Sequence, residues 1–381
     1  MPSKKILILS FSPLKSDPRV YRQIMFLKDS YELTAAGFGN PEIEGVHFAS
    51  IAQVQSSLTK KLMTVLKLKT GRYEDYYWSI YSVRSAWSKL QLVECDLIIA
   101  NDLFSLPLAL EVAKRCNAKV FLDAHEFTPR EFDNDAIWRF VFQKFWDYIC
   151  LRYLPNVSAM TSVCRGIAEE YSRLYGVECE VINNAPFFVD HGYSGVDGSR
   201  IRMVHHGGVY RSRKLENMIS LMDNLDERFH LDFILVPNSD PQYFKELKKK
   251  ACTKERISFR DPVPMTKIPY RLNEYDMGIY FLDPKGFNNR FALPNKFFEF
   301  IQARLGICIW PGPEMARIVE AHGLGIVSDQ FSVESAAAQL NALTTEDILR
   351  FKQNSDKAAG VYCAEKNRDK LIGMVEKLIG S

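Results

Sequence analysis

A lysine and a glutamate three residues apart, just after a proline, carry the most specific chemistry in the chain. They lie in Asn288-Asn289-Arg290-Phe291-Ala292-Leu293-Pro294-Asn295-Lys296-Phe297-Phe298-Glu299-Phe300. Proline suits the first turn of a helix, so Asn295, Lys296 and Glu299 fall on the opening turns, with Lys296 and Glu299 on one face. A helix start offers unpaired N–H groups and partial positive charge to phosphate oxygens, and a nearby carboxylate accepts hydrogen bonds from ribose hydroxyls. Taken alone, the pair reads first as an ordinary surface ion pair at helical spacing; the other segments of the chain favour the ligand site.

A second cluster follows an apolar run ending at His205-His206: Gly207, Gly208, then Arg211, Arg213 and Lys214, ahead of an amphipathic segment starting near Leu215. Glycines let the backbone approach an anion, and the bases neutralise charge on a departing diphosphate. The alternative is a strand-to-helix turn with a solvated basic face. No Lys-Ser/Thr signature of an NTPase and no G-x-G-x-x-G accompanies it. In the first half, Asp123-Ala124-His125-Glu126 closes another apolar run. His125 and Glu126 are therefore expected at a strand's carboxyl end, where a histidine bonds a sugar hydroxyl or takes a proton; the alternative is a buried, satisfied histidine. Ser16-Asp17-Pro18-Arg19 and Asn101-Asp102 occupy similar loops, and for both the alternative is capping of the helix that follows.

Those loops need parallel strands to position them. Short apolar runs alternate with helix-length amphipathic segments in both halves, which predicts an α/β chain with two doubly wound parallel sheets. The expected strands are 5–11, 32–37, 46–51, 96–100, 119–123, 159–163 and 180–182, then 202–206, 232–236, 257–259, 277–282, 306–310 and 325–327. A Gly/Ser/Asp-rich stretch at 187–200 is the expected linker. Domains are accordingly expected at 1–190 and 200–361, with the ligand held in the cleft between them.

At 381 residues the chain exceeds one ordinary core. A net charge of +3, with no basic cluster interleaved with a recognised motif, argues against nucleic acid as a partner. Eight cysteines show no C-x-x-C or Cys/His spacing, which predicts reduced thiols in a cytoplasmic protein, with neither a disulfide framework nor a metal site. Lys4-Lys5 and the apolar run after them imitate a signal peptide, but Lys15, Asp17 and Arg19 come too soon. No apolar stretch is long enough to span a bilayer.

Taken together, SDPRVYR at 16–22, NDLFSL at 101–106, FLDAHEF at 121–127, TSVCRGIA at 161–168, VINNAP at 181–186, HGGVYRSRKL at 206–215, LPNKFFEFIQARLG at 293–306 and PGPEMARIV at 311–319 resemble the GT-B glycosyltransferases, and within them glycosyltransferase family 4. The resemblance implies two Rossmann-like doubly wound domains facing a central cleft, with an N-terminal acceptor domain, a C-terminal nucleotide-sugar domain, and a final helix at 362–381 crossing back to the N-terminal domain. It also implies metal-independent, retaining transfer of a sugar from a nucleotide diphosphate donor, without an organic cofactor. Under it Glu299 matches the ribose-binding glutamate, Arg211 with Arg213 or Lys214 the diphosphate bases, and His125 the histidine near the donor sugar. The family's second glutamate, eight positions earlier, is Phe291 here, leaving Asn288, Asn289 or Asp283 as candidates for its contact. An inverting enzyme would instead require a carboxylate base, for which Asp17 and Glu126 are the candidates.

Between Glu44 and Glu74 there is no acidic residue, while Lys60, Lys61, Lys67, Lys69 and Arg72 cluster. On a helical wheel Leu58, Leu62, Met63, Val65 and Leu66 share one side, with Leu68 and Lys69 out of place. Either this helix, with Tyr76, Tyr77 and Trp78 after it, lies on an anionic membrane surface through 58–78, or it packs its apolar side on its own domain. A stripe of Trp138, Phe142, Phe145, Trp146 and Ile149 along 138–153 is expected to be core. The expected function is sugar transfer from a nucleotide sugar to a saccharide acceptor, lipid-linked and destined for a bacterial surface polysaccharide. The alternatives are a sugar-nucleotide epimerase of the same architecture and a catalytically silent saccharide-binding homologue.

Overall fold

The computed structural model describes residues 4–53, 58–237 and 240–380, and at 58–62 the backbone alone. By contacts the chain divides into two units. The first comprises Met1–Asn183, Gly286–Asn288 and Asn367–Ser381, the second Asn184–Lys285 and Asn289–Lys366.

The first unit holds one parallel sheet of β1 (Lys5–Pro13), β2 (Glu32–Phe38), β3 (Val46–Ser50), β4 (Leu97–Asn101), β5 (Lys119–Asp123), β6 (Ala159–Ser162) and β7 (Glu180–Val181), in the order β3-β2-β1-β4-β5-β6-β7. The second holds β8 (Ile201–Gly208), β9 (Phe229–Val236), β10 (Ile257–Arg260), β11 (Met277–Tyr280), β12 (Gly306–Ile309) and β13 (Gly325–Val327), also parallel, in the order β10-β9-β8-β11-β12-β13. All the expected strands form, with ends within three residues of those expected.

The central strands are unbroken apolar runs because helices cover both faces. Ile6–Leu9 and Leu97–Ala100 are buried without alternation, as parallel strands require. In the first unit Ile6, Ile8, Leu97, Ile99 and Phe121 pack against Val20, Ile24 and Leu27 of the Pro18–Leu27 helix. Leu371 and Val375 of the Ala364–Ile379 helix close the same core. In the second, Met203, Leu231, Phe233, Met277 and Ile279 pack against Met218, Ile219 and Leu340. Fully burying one such side chain stabilises by about 1.5–3 kcal/mol.

Strand order reverses between β1 and β4 in the first sheet and between β8 and β11 in the second. At such a reversal the loops leave in opposite directions and open a crevice at the strands' carboxyl ends, where ligands bind. The residues that carry chemistry converge on these two crevices.

Two helical segments depart from expectation. Residues 138–153 are not one uniform helix: a turn at Ala136–Trp138 runs through the π-helical Arg139–Gln143 into the Lys144–Tyr153 helix. Phe145 and Ile149 are core, whereas Trp138, Phe142 and Trp146 are only half-buried, so the expected core stripe is partial. The Leu58–Lys69 helix forms, but Leu68, expected to be out of place, is buried while Met63, Val65 and Leu66 are exposed. The side chains of Leu58, Lys60, Lys61 and Leu62 lie outside the described residues. Among the described residues no helix is long and apolar enough to cross a membrane.

Candidate functional site

In the second unit the crevice is built on two histidines at the end of β8. His205 is fully buried, and its Nδ1 donates to the carbonyl of Ile279 on β11 at 2.8 Å. That bond leaves Nε2 as the acceptor, and the Lys296 ammonium donates to it at 3.2 Å. Lys296 reaches it from the Asn295–Gln302 helix, which Pro294 precedes as N-cap with no side-chain cap. The ammonium also sits 4.7 Å from the centre of the Tyr280 ring. Burial first, then the Arg213 charge, draws its pKa well below that of an ordinary lysine, against a smaller opposing pull from Glu299.

Glu299 lies one turn further along the same helix, with Oε2 3.3 Å from Nε2 of His206. Burial and the nearby Lys296 charge hold His206 well below the usual histidine range, so it is neutral. Its buried Nε2 makes no hydrogen bond of acceptable geometry. The 3.3 Å separation is thus a close approach and not an ion pair. Lys296 and Glu299 are 6% and 7% exposed, which rules out the surface ion pair that their spacing also allowed. Burial instead directs them to two different histidines.

Gly207 has φ +115, and a Cβ there would stand 3.3 Å from the Lys296 ammonium. Only glycine leaves that approach open. Gly208 is covered by the ring of Tyr210, which a Cβ would meet at 2.7 Å. Beyond these glycines Arg211–Arg213 forms a 3-10 turn and Lys214 is left-handed, at φ 46. Arg213 stacks on Tyr210 at 4.7 Å. Lys214 donates to Asp283 at 2.6 Å. Burial opposes ionisation of Asp283, but that bond, with the N–H of Lys285, holds its pKa below the usual carboxylate value. Arg211 turns away, pairing with Glu246 at 2.7 Å and lying over Tyr243 at 4.6 Å, because the Pro241–Ala251 helix supplies carboxylates that the local sequence does not reveal. Asn295, at the helix start, has a buried Oδ1 without a hydrogen-bond partner. A narrow, mainly apolar cavity of about 40 Å³ adjoins His206 and Gly207, walled by Val236, Pro262, Val263 and Leu272.

The first unit's crevice is a buried polar network. Arg19 donates to both oxygens of Asp102, at 3.0 and 3.1 Å, and lies 3.6 Å from Asp17. Asp17 caps the Pro18–Leu27 helix by accepting from the Arg19 and Val20 N–H groups, so the capped turn foreseen as its alternative is present. Asp102 precedes the Leu103–Ser105 turn, but its side chain makes no capping bond there; it is held at φ 63 with its carboxylate on Arg19. Gln23 donates to Asp123 at 2.8 Å and accepts from Asn101 at 2.9 Å. Burial raises the Asp123 pKa to about 6, with Arg19 opposing.

His125 follows in a left-handed conformation, at φ 59, fixed by Ser162 donating to its carbonyl at 2.8 Å. Burial and then Arg19 press its pKa well below the ordinary value, so at neutral pH the half-buried ring is uncharged. Glu126 is exposed. Glu131 escaped the sequence reading: burial, then the charges of Glu126 and Asp102, raise its pKa to about 7. Phe291, at the position where the resemblance implies a second glutamate, is half-buried beside Arg290. Of its proposed substitutes, Asp283 is engaged by Lys214, and Asn288 exchanges two hydrogen bonds with the backbone of Phe127, at 2.9 and 3.1 Å.

No protein-family model matches this chain, and no curated protein matches it. Solved structures do. Anabaena Alr3699/HepE in complex with UDP-glucose matches with a TM-score of 0.71 at 12% identity, over 99% of this chain and 100% of that one. The fold is GT-B. Sucrose-phosphate synthase from Thermosynechococcus elongatus matches this GT-B chain with a TM-score of 0.70 at 10% identity, over 98% of this chain and 99% of that one. The α,α-trehalose 6-phosphate synthase from Burkholderia multivorans matches with a TM-score of 0.67 at 10% identity, over 98% of each chain. At these identities the likeness is one of GT-B architecture.

Proposed function

We propose that the protein is a glycosyltransferase that moves a sugar from a nucleotide diphosphate sugar to a saccharide acceptor. The observation that carries this is the Lys296 ammonium, buried without a carboxylate partner among the described residues and set between neutral His205 and the open backbone of Gly207. A buried cation in that setting is stabilised by an incoming anion. Glu299, just along the helix, is a carboxylate of the right kind for ribose hydroxyls. The UDP-glucose bound to the Anabaena protein supports a nucleotide sugar as the anion's source.

On this proposal the departing diphosphate is stabilised by Lys296, Arg213, Lys214 and the helix start at Asn295, without a metal or organic cofactor. Neutral His125 bonds a hydroxyl of the transferred sugar. Transfer is retaining, by family resemblance. The acceptor is lipid-linked, the product a bacterial surface polysaccharide, and the protein works at the cytoplasmic face of the membrane. The outward apolar side of the Leu58–Lys69 helix favours this over a sugar-nucleotide epimerase, which has no need of a membrane.

Thermal unfolding with a panel of nucleoside diphosphates and their sugars tests the proposal. A ligand at a hundredfold its dissociation constant adds about 2.7 kcal/mol of stability. One nucleotide diphosphate should stabilise the wild type, and the effect should fade in Glu299→Ala. If no member of the panel shifts the transition, the silent-homologue alternative takes its place.

A further inference from the structure

The Leu58–Lys69 helix turns an apolar side to solvent. Met63 is 54% exposed and Leu66 57%, while Leu68 on the opposite side is buried. The neighbouring segment does the same. Ile137 is 76% exposed and Phe140 66%, while Val141 and Phe145 enter the core. The two segments pack together, and Lys69 ties them: its ammonium donates to the Phe140 carbonyl at 2.8 Å and lies 2.9 Å from the centre of that ring. A single exposed leucine is ordinary, but four large apolar side chains on adjoining helices form a patch that implies a partner.

The charge around the patch is one-sided. Lys69, Arg139 and Lys144 have no carboxylate partner among the described residues, and Lys69 and Lys144 are exposed. The acidic groups nearby are engaged. Asp135 caps Ile137 and Trp138, Asp133 accepts from the Phe287 N–H, and Asp75 pairs with Arg72. Glu74 accepts from Trp78, Tyr148 and Tyr153. A second copy of the chain across a two-fold axis would set like charges against each other, whereas an anionic surface complements them.

We propose that Met63, Leu66, Ile137 and Phe140 dock the protein on an anionic bilayer, entering the boundary between headgroups and acyl chains while Lys69, Arg139 and Lys144 meet lipid phosphates. Apolar side chains ringed by cations are the combination that holds amphipathic helices at such surfaces. The inference deepens the proposed transfer to a lipid-linked acceptor and rests on that reading for its purpose, but vesicle binding is measured without nucleotide.

The test is co-sedimentation of the full chain with sucrose-loaded vesicles, of phosphatidylcholine alone or mixed equally with phosphatidylglycerol. The wild type should sediment with the mixed vesicles and far less with the neutral ones. The variant Leu66→Asp/Ile137→Asp/Phe140→Asp should lose about tenfold or more in partitioning. Lys69→Glu/Lys144→Glu should lose the salt-sensitive part. Equal sedimentation of wild type and apolar variant overturns the proposal, as does indifference to phosphatidylglycerol. A concentration-dependent dimer abolished by the apolar variant overturns it in favour of a second copy. Cooperative urea unfolding of both variants, with midpoints close to wild type, shows without nucleotide that they fold. If vesicles bind and no nucleotide does, the transferase reading fails and the docking surface stands.

Discussion

The Lys296 ammonium lies 3.2 Å from Nε2 of His205, whose Nδ1 is committed to the Ile279 carbonyl at 2.8 Å. A buried cation is thereby held by a neutral ring, a much weaker partner than a carboxylate. Such a site is under-satisfied until an anion arrives. Lys296→Met keeps the stem and removes the charge. Losing the bond to His205 costs about 1–3 kcal/mol, while relieving a desolvated ammonium returns a similar amount. Urea unfolding should therefore show a net change within about 1 kcal/mol of wild type. Affinity for the nucleotide diphosphate should fall about ten- to a hundredfold, the loss of one charge-assisted contact. A large loss of stability with unchanged affinity would make Lys296 a structural residue.

Acid should destabilise the second unit through its histidines. Burial and the Lys296 charge hold both His205 and His206 well below the ordinary value of 6.5. Below pH 6.5 the unfolded chain therefore binds protons that the folded one refuses. The histidines' contribution is complete above that pH and declines as pH falls toward their folded values, by up to about 1.4 kcal/mol per pH unit for each. His206→Phe keeps an aromatic ring beside Phe300 and abolishes one titration. Between about pH 7.5 and about pH 5.5 its urea midpoint should fall less than that of the wild type. Parallel curves for the two proteins would show that His206 charges freely in the folded state.

The elements were legible in the sequence because the buried strands are short apolar runs with few competing interpretations. Pro294 likewise announced the helix that carries Lys296 and Glu299. What those residues touch was not legible, since His205 and His206 lie on a strand far away in the chain and are brought close only by the β8/β11 order. The same limit explains Arg211, whose carboxylates come from a separate helix, and Glu131, whose raised pKa depends in part on Asp102. The Leu58–Lys69 helix shows a different limit. Periodicity separates its two sides, but which one faces the core is decided by whether the neighbouring helices leave room, and among the described side chains of this helix Leu68 is the one they bury.

Glu131 gives a prediction of opposite sign to the histidines. Its pKa is raised to about 7 by burial and by Glu126 and Asp102. The folded protein therefore binds a proton more readily than the unfolded chain, and stability is lost as pH rises from the unfolded carboxylate value through about 7. Glu131→Gln mimics the protonated form. It should stabilise by about 1–3 kcal/mol at pH 8 and by little at pH 5, read from urea unfolding at both. Equal effects at the two pH values would mean that Glu131 titrates normally. A carboxyl group poised near neutrality is also suited to proton transfer. If Glu131 serves the acceptor, the same variant should flatten the rise of kcat/KM with pH near 7.

Gly207 joins backbone strain to ligand binding. At φ +115 an L-residue is disfavoured, and a Cβ would reach 3.3 Å from the Lys296 ammonium. Gly207→Ala should cost about 1–2 kcal/mol through the backbone. The added methyl should also displace the ammonium from His205 and fill the approach by which a phosphate oxygen reaches it, weakening nucleotide binding about tenfold or more. Gly176→Ala provides the comparison. Gly176 is left-handed at φ 66 as the C-cap of the Arg165–Tyr175 helix, and a Cβ there would meet nothing within 4 Å. It should carry a similar backbone cost and leave nucleotide affinity unchanged. Isothermal titration of both variants separates strain from obstruction: a loss confined to Gly207→Ala puts the phosphate against β8, and an equal loss in both attributes the effect to stability alone.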